Sequence, residues 1–350
     1  MVENSKIEWC KHTFNPWIGC TKISPACDNC YAAAWDARWG NSWGPHVRRR
    51  TSSANWRKPL AWDKAAAKSG VRHQVFCASL ADVFDNDRSI TSGWRGDLWH
   101  LIHRTPNLDW LLLTKRPQNI ARYLHPEEYG DLPEWGDGWP NVWLGTSIED
   151  QATADARIPR LLATPTAVRF VSAEPLLGPV DLTPHLHQKR WGCDFGAARG
   201  GGSASGTIPA LDWVIVGGES GPRARPMHPD WVRGLRDQCQ AAGVAFFFKQ
   251  WGEWSPCVLL GDDDGEPLAA YPMDGCFDGG SHRGDQEARF WQDGEWVFWP
   301  HVQKLPAVGV RRVGKRAAGR LIDGRTWDGM AVAMGMAPEK DWMEEGRDAP

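Results

Sequence analysis

Three cysteines stand close together near the start of the chain, in the stretch NPWIGCTKISPACDNCYA, residues 15–32. Six residues separate Cys20 from Cys27, and two separate Cys27 from Cys30. A two-residue gap lets neighbouring thiolates grip one metal ion or adjacent corners of one cluster. Gly19 and Pro25 supply turns that carry Cys20 to another corner. Iron–sulfur clusters are usually held by four cysteines, so three leave one iron open to an exogenous ligand. Structural zinc, with Cys10 or His12 as fourth ligand, satisfies the same spacing. On spacing alone both stand. Cys77 reads as an inert core thiol, while Cys193, Cys239, Cys257 and Cys276 show no ligand spacing.

Such a loop needs a scaffold, and six short apolar runs supply one: HQVFCASLADVF (73–84), LDWLLLTKRP (108–117), NVWLGTSIED (141–150), AVRFVSAEPLLGPV (167–180), LDWVIVGGESG (211–221) and GVAFFFKQWGEW (243–254). Apolar runs without alternation suit strands buried on both faces, as in a parallel sheet. Between the last two, HPDWVRGLRDQCQAAG has helical spacing and a stop at Gly243. Polar groups follow every run: Ser79 and Asp82; Thr114, Lys115 and Arg116; Ser147 and Glu149; Ser172 and Glu174; Gly217, Gly218, Glu219 and Ser220; Lys249 and Gln250. In parallel α/β sheets the strand C-termini share one face, where active sites gather. A short strand around Ile7–Trp9 would bring the cysteine loop to that face. A context of this kind favours a cluster enzyme over a zinc knuckle, which needs no such barrel.

The expected fold is therefore α/β, a partial or full parallel (βα) barrel over residues 1–254, with a flexible insertion at about 183–210. An irregular insertion over 255–300, a basic C-terminal segment over 301–330 and an acid-rich tail over 331–350 follow. No apolar run approaches the roughly 18–20 residues of a membrane helix, so no membrane partner is expected. The polar start MVENSKIEWC lacks a secretory core, which points to the reducing cytoplasm. Net charge is −3, yet basic residues gather at HVRRR, ending at Arg50, and between Lys304 and Arg325. Such runs suit phosphates, or are merely solvated faces.

The cysteine loop, with TKRP, GTSIED, SAEPLLGPVDL, GGESGPRARPM, FFFKQWG and GKRAAGRLIDGRTWDGM in order, resembles a phage-associated three-cysteine protein family. That family, found in phage and bacterial genomes, is similar to the radical S-adenosylmethionine superfamily. The commonest superfamily loop spaces its first two cysteines by three residues and puts an aromatic before the last. Here the gap is six, and Asn29 takes that place, with Tyr31 just after Cys30.

The resemblance implies a barrel of the radical S-adenosylmethionine type and an enzyme of the cytoplasm of a bacterium or phage-infected host. Cys20, Cys27 and Cys30 would ligate a [4Fe–4S] cluster whose open iron chelates S-adenosylmethionine. One electron from a donor such as flavodoxin or ferredoxin would then release a 5′-deoxyadenosyl radical for hydrogen abstraction. Asp82 is the candidate for the cofactor's ammonium, and Ser147 and Glu149 for its ribose hydroxyls. Gly217 and Gly218 would let backbone approach the ligand, with Glu219 or Ser220 binding it. Lys115, Arg116, Glu174 and Lys249 are the catalytic candidates, and Arg225 adds positive charge at the mouth. A nucleic acid or nucleotide is one expected substrate class, undergoing modification or repair; a small metabolite or peptide is the other. The contrasting expectation is a non-catalytic, zinc-stabilised nucleic-acid-binding or scaffold protein.

Overall fold

The computed structural model describes residues 5, 7–41, 43–187, 189–195, 202–261, 267–272, 288–298 and 307–331. Seven parallel strands form its main sheet: β1 (His12–Phe14), β2 (His73–Cys77), β3 (Leu108–Thr114), β4 (Val142–Ile148), β5 (Val168–Ala173), β6 (Trp213–Gly217) and β7 (Ala245–Gln250). Their spatial order is their chain order, and the sheet curls into a half-barrel. All six apolar runs thus become strands. The remaining strand lies at His12–Phe14, not at Ile7–Trp9. Trp9 is instead drawn into the core, with its ring 4.7 Å from Phe76 and 6.2 Å from Trp213.

Helices α1 (Tyr31–Ala37), α2 (Ser53–Ser69), α3 (Ser92–His103), α4 (Gln151–Leu162) and α5 (Pro229–Ala242) lie along the connections. Their ends follow local chemistry. In α4, Asp150 and Thr153 form a reciprocal capping box. In α5, Pro229 occupies the first turn, and Gly243, at φ 68°, closes the helix as expected. The helices bury Trp62, Leu98, Ile102, Ile158 and Leu235 against the outward-facing strand residues Val75, Leu112, Leu144, Val171 and Val214. That alternation leaves the opposite side chains on the concave face.

There Phe76, Leu111, Trp143, Phe170, Trp213 and Phe247 build an apolar floor, into which Trp9, Cys10 and Ala331 also pack. Gly145 makes room for it, since a Cβ would lie 2.4 Å from the Phe170 ring. After β7 the chain enters an antiparallel sheet of β8 (Trp254–Gly261), β9 (Pro267–Pro272), β10 (Ala288–Gln292), β11 (Glu295–Phe298) and β12 (Ala307–Arg312), in the order β9-β8-β12-β10-β11. A sheet thus stands where the sequence suggests an irregular excursion. Likewise the insertion at 183–210 holds a helical turn, Thr183–Leu186, and an antiparallel hairpin, Lys189–Phe195 with Gly202–Ile208. Among the described residues no helix is long and apolar enough to cross a membrane.

Beside β1 the His12 ring stacks on Trp62 at 4.2 Å, and its Nε2 lies 3.1 Å from His73 Nδ1. Burial, then the neighbouring His73 and Lys11, pulls His12 down to about 4, and burial also lowers His73. Both bind protons more readily once unfolded, so stability falls as pH drops below the ordinary histidine range. Lowering pH from 7 to 5 should cost on the order of 2 kcal/mol through His12. Urea midpoints of wild type and His12→Gln at both pH values check this. The variant should lose most of the difference.

Candidate active site at the C-terminal mouth

The cysteine loop leaves β1 at its C-terminal end and crosses the mouth of the half-barrel. Its first anchor is backbone. Gly19, at φ +118°, donates its N–H to the Leu80 carbonyl at 3.0 Å. A side chain at that φ would be strained. Cys20 comes next, with its Sγ 3.4 Å from Arg116 Nη1 just beyond β3. Cys27 ends the single turn Pro25–Cys27, and Cys30 caps α1. All three thiols are free and half-buried.

The far anchor lies beyond β6. Asn29 donates to Glu219 Oε2 at 3.0 Å and to the Arg223 carbonyl at 2.7 Å. Arg225 grips the same carboxylate, Nη2 to Oε1 at 2.6 Å and Nε to Oε2 at 2.9 Å, and its Nη2 also reaches the Pro25 carbonyl at 3.0 Å. β3 and β6 are three strands apart, roughly 14 Å along a sheet. The loop therefore bridges the concavity.

Several expected ligand-binding residues are consumed by this framework. Asp82 accepts from Phe84 N and Thr114 Oγ1 on one oxygen, and from Lys115 N and Arg116 Nη1 on the other. Through these four bonds it joins β2 to β3. Glu149 is fully buried against Arg157 of α4, 2.8 Å away, and Arg157 also donates to the Ser147 carbonyl. Arg116 is buried too, paired with Asp82 at 3.1 Å and Asp85 at 3.7 Å, and donates to the Thr21 carbonyl at 2.8 Å. Burial opposes its charge, but Asp82, Cys20 and Asp85 together raise it above its ordinary value. Burial and Asp82 push the Cys20 thiol up to about 11, against the pull of Arg116.

Glu219 is spent on the loop, as described, and Ser220 accepts from Gln250 Nε2 at 3.2 Å. Gly218 lets the ends of β6 and β7 meet, since a Cβ there would lie 2.0 Å from the Trp251 carbonyl oxygen. The concave face above the floor keeps Ser147, Ser172, Gly217, Glu174 and Lys249. The first two are level across β4 and β5, and Glu174 and Lys249 form an ion pair beside Gly217. Lys115 gives its backbone N–H to Asp82.

The arginines of the first basic run are paired with acids, and several of the second are held by local contacts. Arg48 bonds Asp85 at 2.7 Å, Arg49 pairs with Asp36, and Arg50 pairs with Asp97 at 2.6 Å. In the C-terminal segment Arg320 pairs with Asp328, Arg312 bonds the Pro222 carbonyl at 2.7 Å, and Arg325 lies 3.8 Å over Trp327. Lys304, Cys276 and the acid-rich tail beyond residue 331 lie outside the described residues.

Residues 4–331 match a family described as "Protein of unknown function (DUF5131)". The chain belongs to the DUF5131 family. No curated protein and no solved structure matches it.

Sequence reasoning missed several residues that shape this DUF5131 site. Asn15 accepts from Leu80 N at 2.6 Å and donates to Ser79 Oγ at 3.0 Å, fixing the strand end beside the loop. The Tyr31 hydroxyl donates to the Ser79 carbonyl at 2.6 Å, and Arg48 Nη2 donates to Thr21 Oγ1 at 2.8 Å. No motif announces such long-range partners.

For a bound metal group the donor set is soft thiolate, the chemistry of iron–sulfur clusters and zinc. Among the described residues no three His, Cys, Asp or Glu side chains are gathered as around a single ion. Cys10 and His12, the expected fourth zinc ligands, are placed elsewhere. Cys10 is in the floor, raised to about 12 by burial, and His12 stacks on Trp62. The three cysteines of the loop are the thiols the chain offers at the mouth, with Arg116 Nη1 3.4 Å from the first.

Proposed function

We propose that this DUF5131 chain is an enzyme of the radical S-adenosylmethionine type, with Cys20, Cys27 and Cys30 holding a [4Fe–4S] cluster. The observation carrying the proposal is the bridge itself, three thiols borne across the mouth of a half-barrel on clamps at β3 and β6. The chemistry such a cluster supplies when bound is one-electron reduction of S-adenosylmethionine, fed by a donor such as flavodoxin or ferredoxin.

The chain's own residues do the rest. Arg116 donates to the Cys20 sulfur and holds the first cysteine in place, partly offsetting the burial and the Asp82 charge that oppose its thiolate. Asn29, Glu219 and Arg225 hold the loop in place. The floor of Trp9, Trp143, Trp213 and Phe247 keeps water out from below, which strengthens every charge interaction above it. Ser147, Ser172, Glu174 and Lys249 are the groups offered to whatever lies in the concavity. A phage or bacterial cytoplasm, where thiols stay reduced, is the setting this reading requires.

The test is anaerobic reconstitution with iron and sulfide, then dithionite and S-adenosylmethionine, with 5′-deoxyadenosine measured by chromatography. Wild type should hold about four iron and turn brown, as a cubane requires. The Cys20→Ala, Cys27→Ala, Cys30→Ala triple variant should lose the iron, the colour and the product. A colourless wild type with about one zinc and no cleavage would sink the proposal.

A further inference from the structure

Among the described residues, five of the six exposed large apolar side chains fall between residues 23 and 47, the sixth being Leu321. Ile23 on the cysteine loop, Tyr31, Trp35 and Trp39 on and just after α1, and Val47 beyond it are 44%, 60%, 36%, 70% and 76% exposed. Trp35 and Trp39, four residues apart on and just after α1, are exposed while the helix buries Ala32 and Asp36, and the Tyr31 hydroxyl turns to the Ser79 carbonyl at 2.6 Å. The Trp35 and Trp39 rings lie 6.1 Å apart.

Within residues 21–50, Arg48 is buried against Asp85 and Arg50 pairs with Asp97, so the cations that remain beside α1 are Arg38 and Arg49. Arg38, next to Trp39 in the chain, is exposed. Arg49 pairs with Asp36, but the acid is 1% exposed and the guanidinium 41%, so the positive end faces solvent. Lys22 and Asp28 are both exposed and offset one another at 3.6 Å.

Flat π-faces interleaved with cations are the recognition chemistry of single strands. Bases stack on the aromatics, and phosphates meet the guanidinium groups. We propose that the α1 face binds single-stranded nucleic acid, with bases on Trp35 and Trp39 and phosphates on Arg38 and Arg49. Cys30 caps α1, so a strand held there runs beside the mouth of the half-barrel. The surface is independent of what the three thiols hold.

The test uses the full chain without reconstitution and fluorescein-labelled 15-nucleotide dT and U strands, read by anisotropy. Wild type should bind, and the affinity should fall steeply between about 50 and 200 mM salt. The Trp35→Ala, Trp39→Ala double variant should bind at least about tenfold more weakly, with unchanged circular dichroism because both rings are exposed. Arg38→Glu should weaken binding and flatten the salt dependence. Absence of wild-type binding at low salt overturns the proposal, as does binding that the tryptophan variant leaves intact. So does a result in which the same variants abolish association with flavodoxin while neither strand binds. None of these outcomes touches the 5′-deoxyadenosine assay, so the two proposals fail separately.

Discussion

Arg116→Leu should lower folding stability by about 3–5 kcal/mol, the usual cost of leaving a buried charge without its partner. The side chains of Arg116, Asp82 and Asp85 are 6%, 6% and 3% exposed, so water cannot take over the lost interaction. Asp85 keeps Arg48 at 2.7 Å. Asp82 keeps only neutral donors, Thr114 Oγ1 and two backbone N–H groups, and would be the stranded charge. Cys20 and the Thr21 carbonyl lose their shared donor at the same time, so iron retained after reconstitution should fall along with the urea midpoint. Arg116→Lys keeps the charge but not the planar fork, and should recover only part of the stability. An Arg116→Leu midpoint within error of wild type would show that the network does not hold the mouth.

Gly218→Ala should cost about 3 kcal/mol or more, at the upper end of overpacking penalties, since backbone meets backbone there. An added Cβ lies 2.0 Å from the Trp251 oxygen, and one on Gly252 would lie 2.1 Å from the Glu219 oxygen. The ends of β6 and β7 are therefore in direct contact, tied by Gly218 N to the Gln250 carbonyl at 2.9 Å. Neither segment can yield by turning a side chain. Moving Glu219 aside would loosen the hold of Arg225 and Asn29, so hydrogen exchange across residues 20–30 should speed up together with the loss of stability. Gly217→Ala is the control. Its Cβ would meet Glu174 at an ordinary 3.4 Å, and the cost should stay within about 1 kcal/mol.

The parallel sheet was legible because buried strands write themselves as unbroken apolar runs, and α5 because its apolar residues keep helical spacing up to the stop at Gly243. β1 was not legible, since three residues, His12–Phe14, carry no periodicity. The antiparallel sheet beyond β7 was hidden by a Gly-, Asp- and Trp-rich stretch without a clear pattern. Charge misled most. Arg48, Arg49 and Arg50 read locally as a phosphate patch, yet Asp85, Asp36 and Asp97 answer them from 37, 13 and 47 residues away. The same holds for Asp82 and Glu149. Each was correctly found at a strand end, but one sequence does not display the partners that saturate it.

The floor of the concavity has a consequence for how the protein is made. Trp9 and Cys10 enter it from one direction of the chain, and Met330 and Ala331 from the other. The later run lies along the free edge of β7, where Gly329 N bonds the Phe246 carbonyl at 3.0 Å and Phe248 N the Trp327 carbonyl at 2.8 Å. A ribosome releasing this chain has thus exposed every cysteine and strand of the site long before the last plug emerges. Until residue 331 is free, the vessel has walls and a rim but leaks at its base.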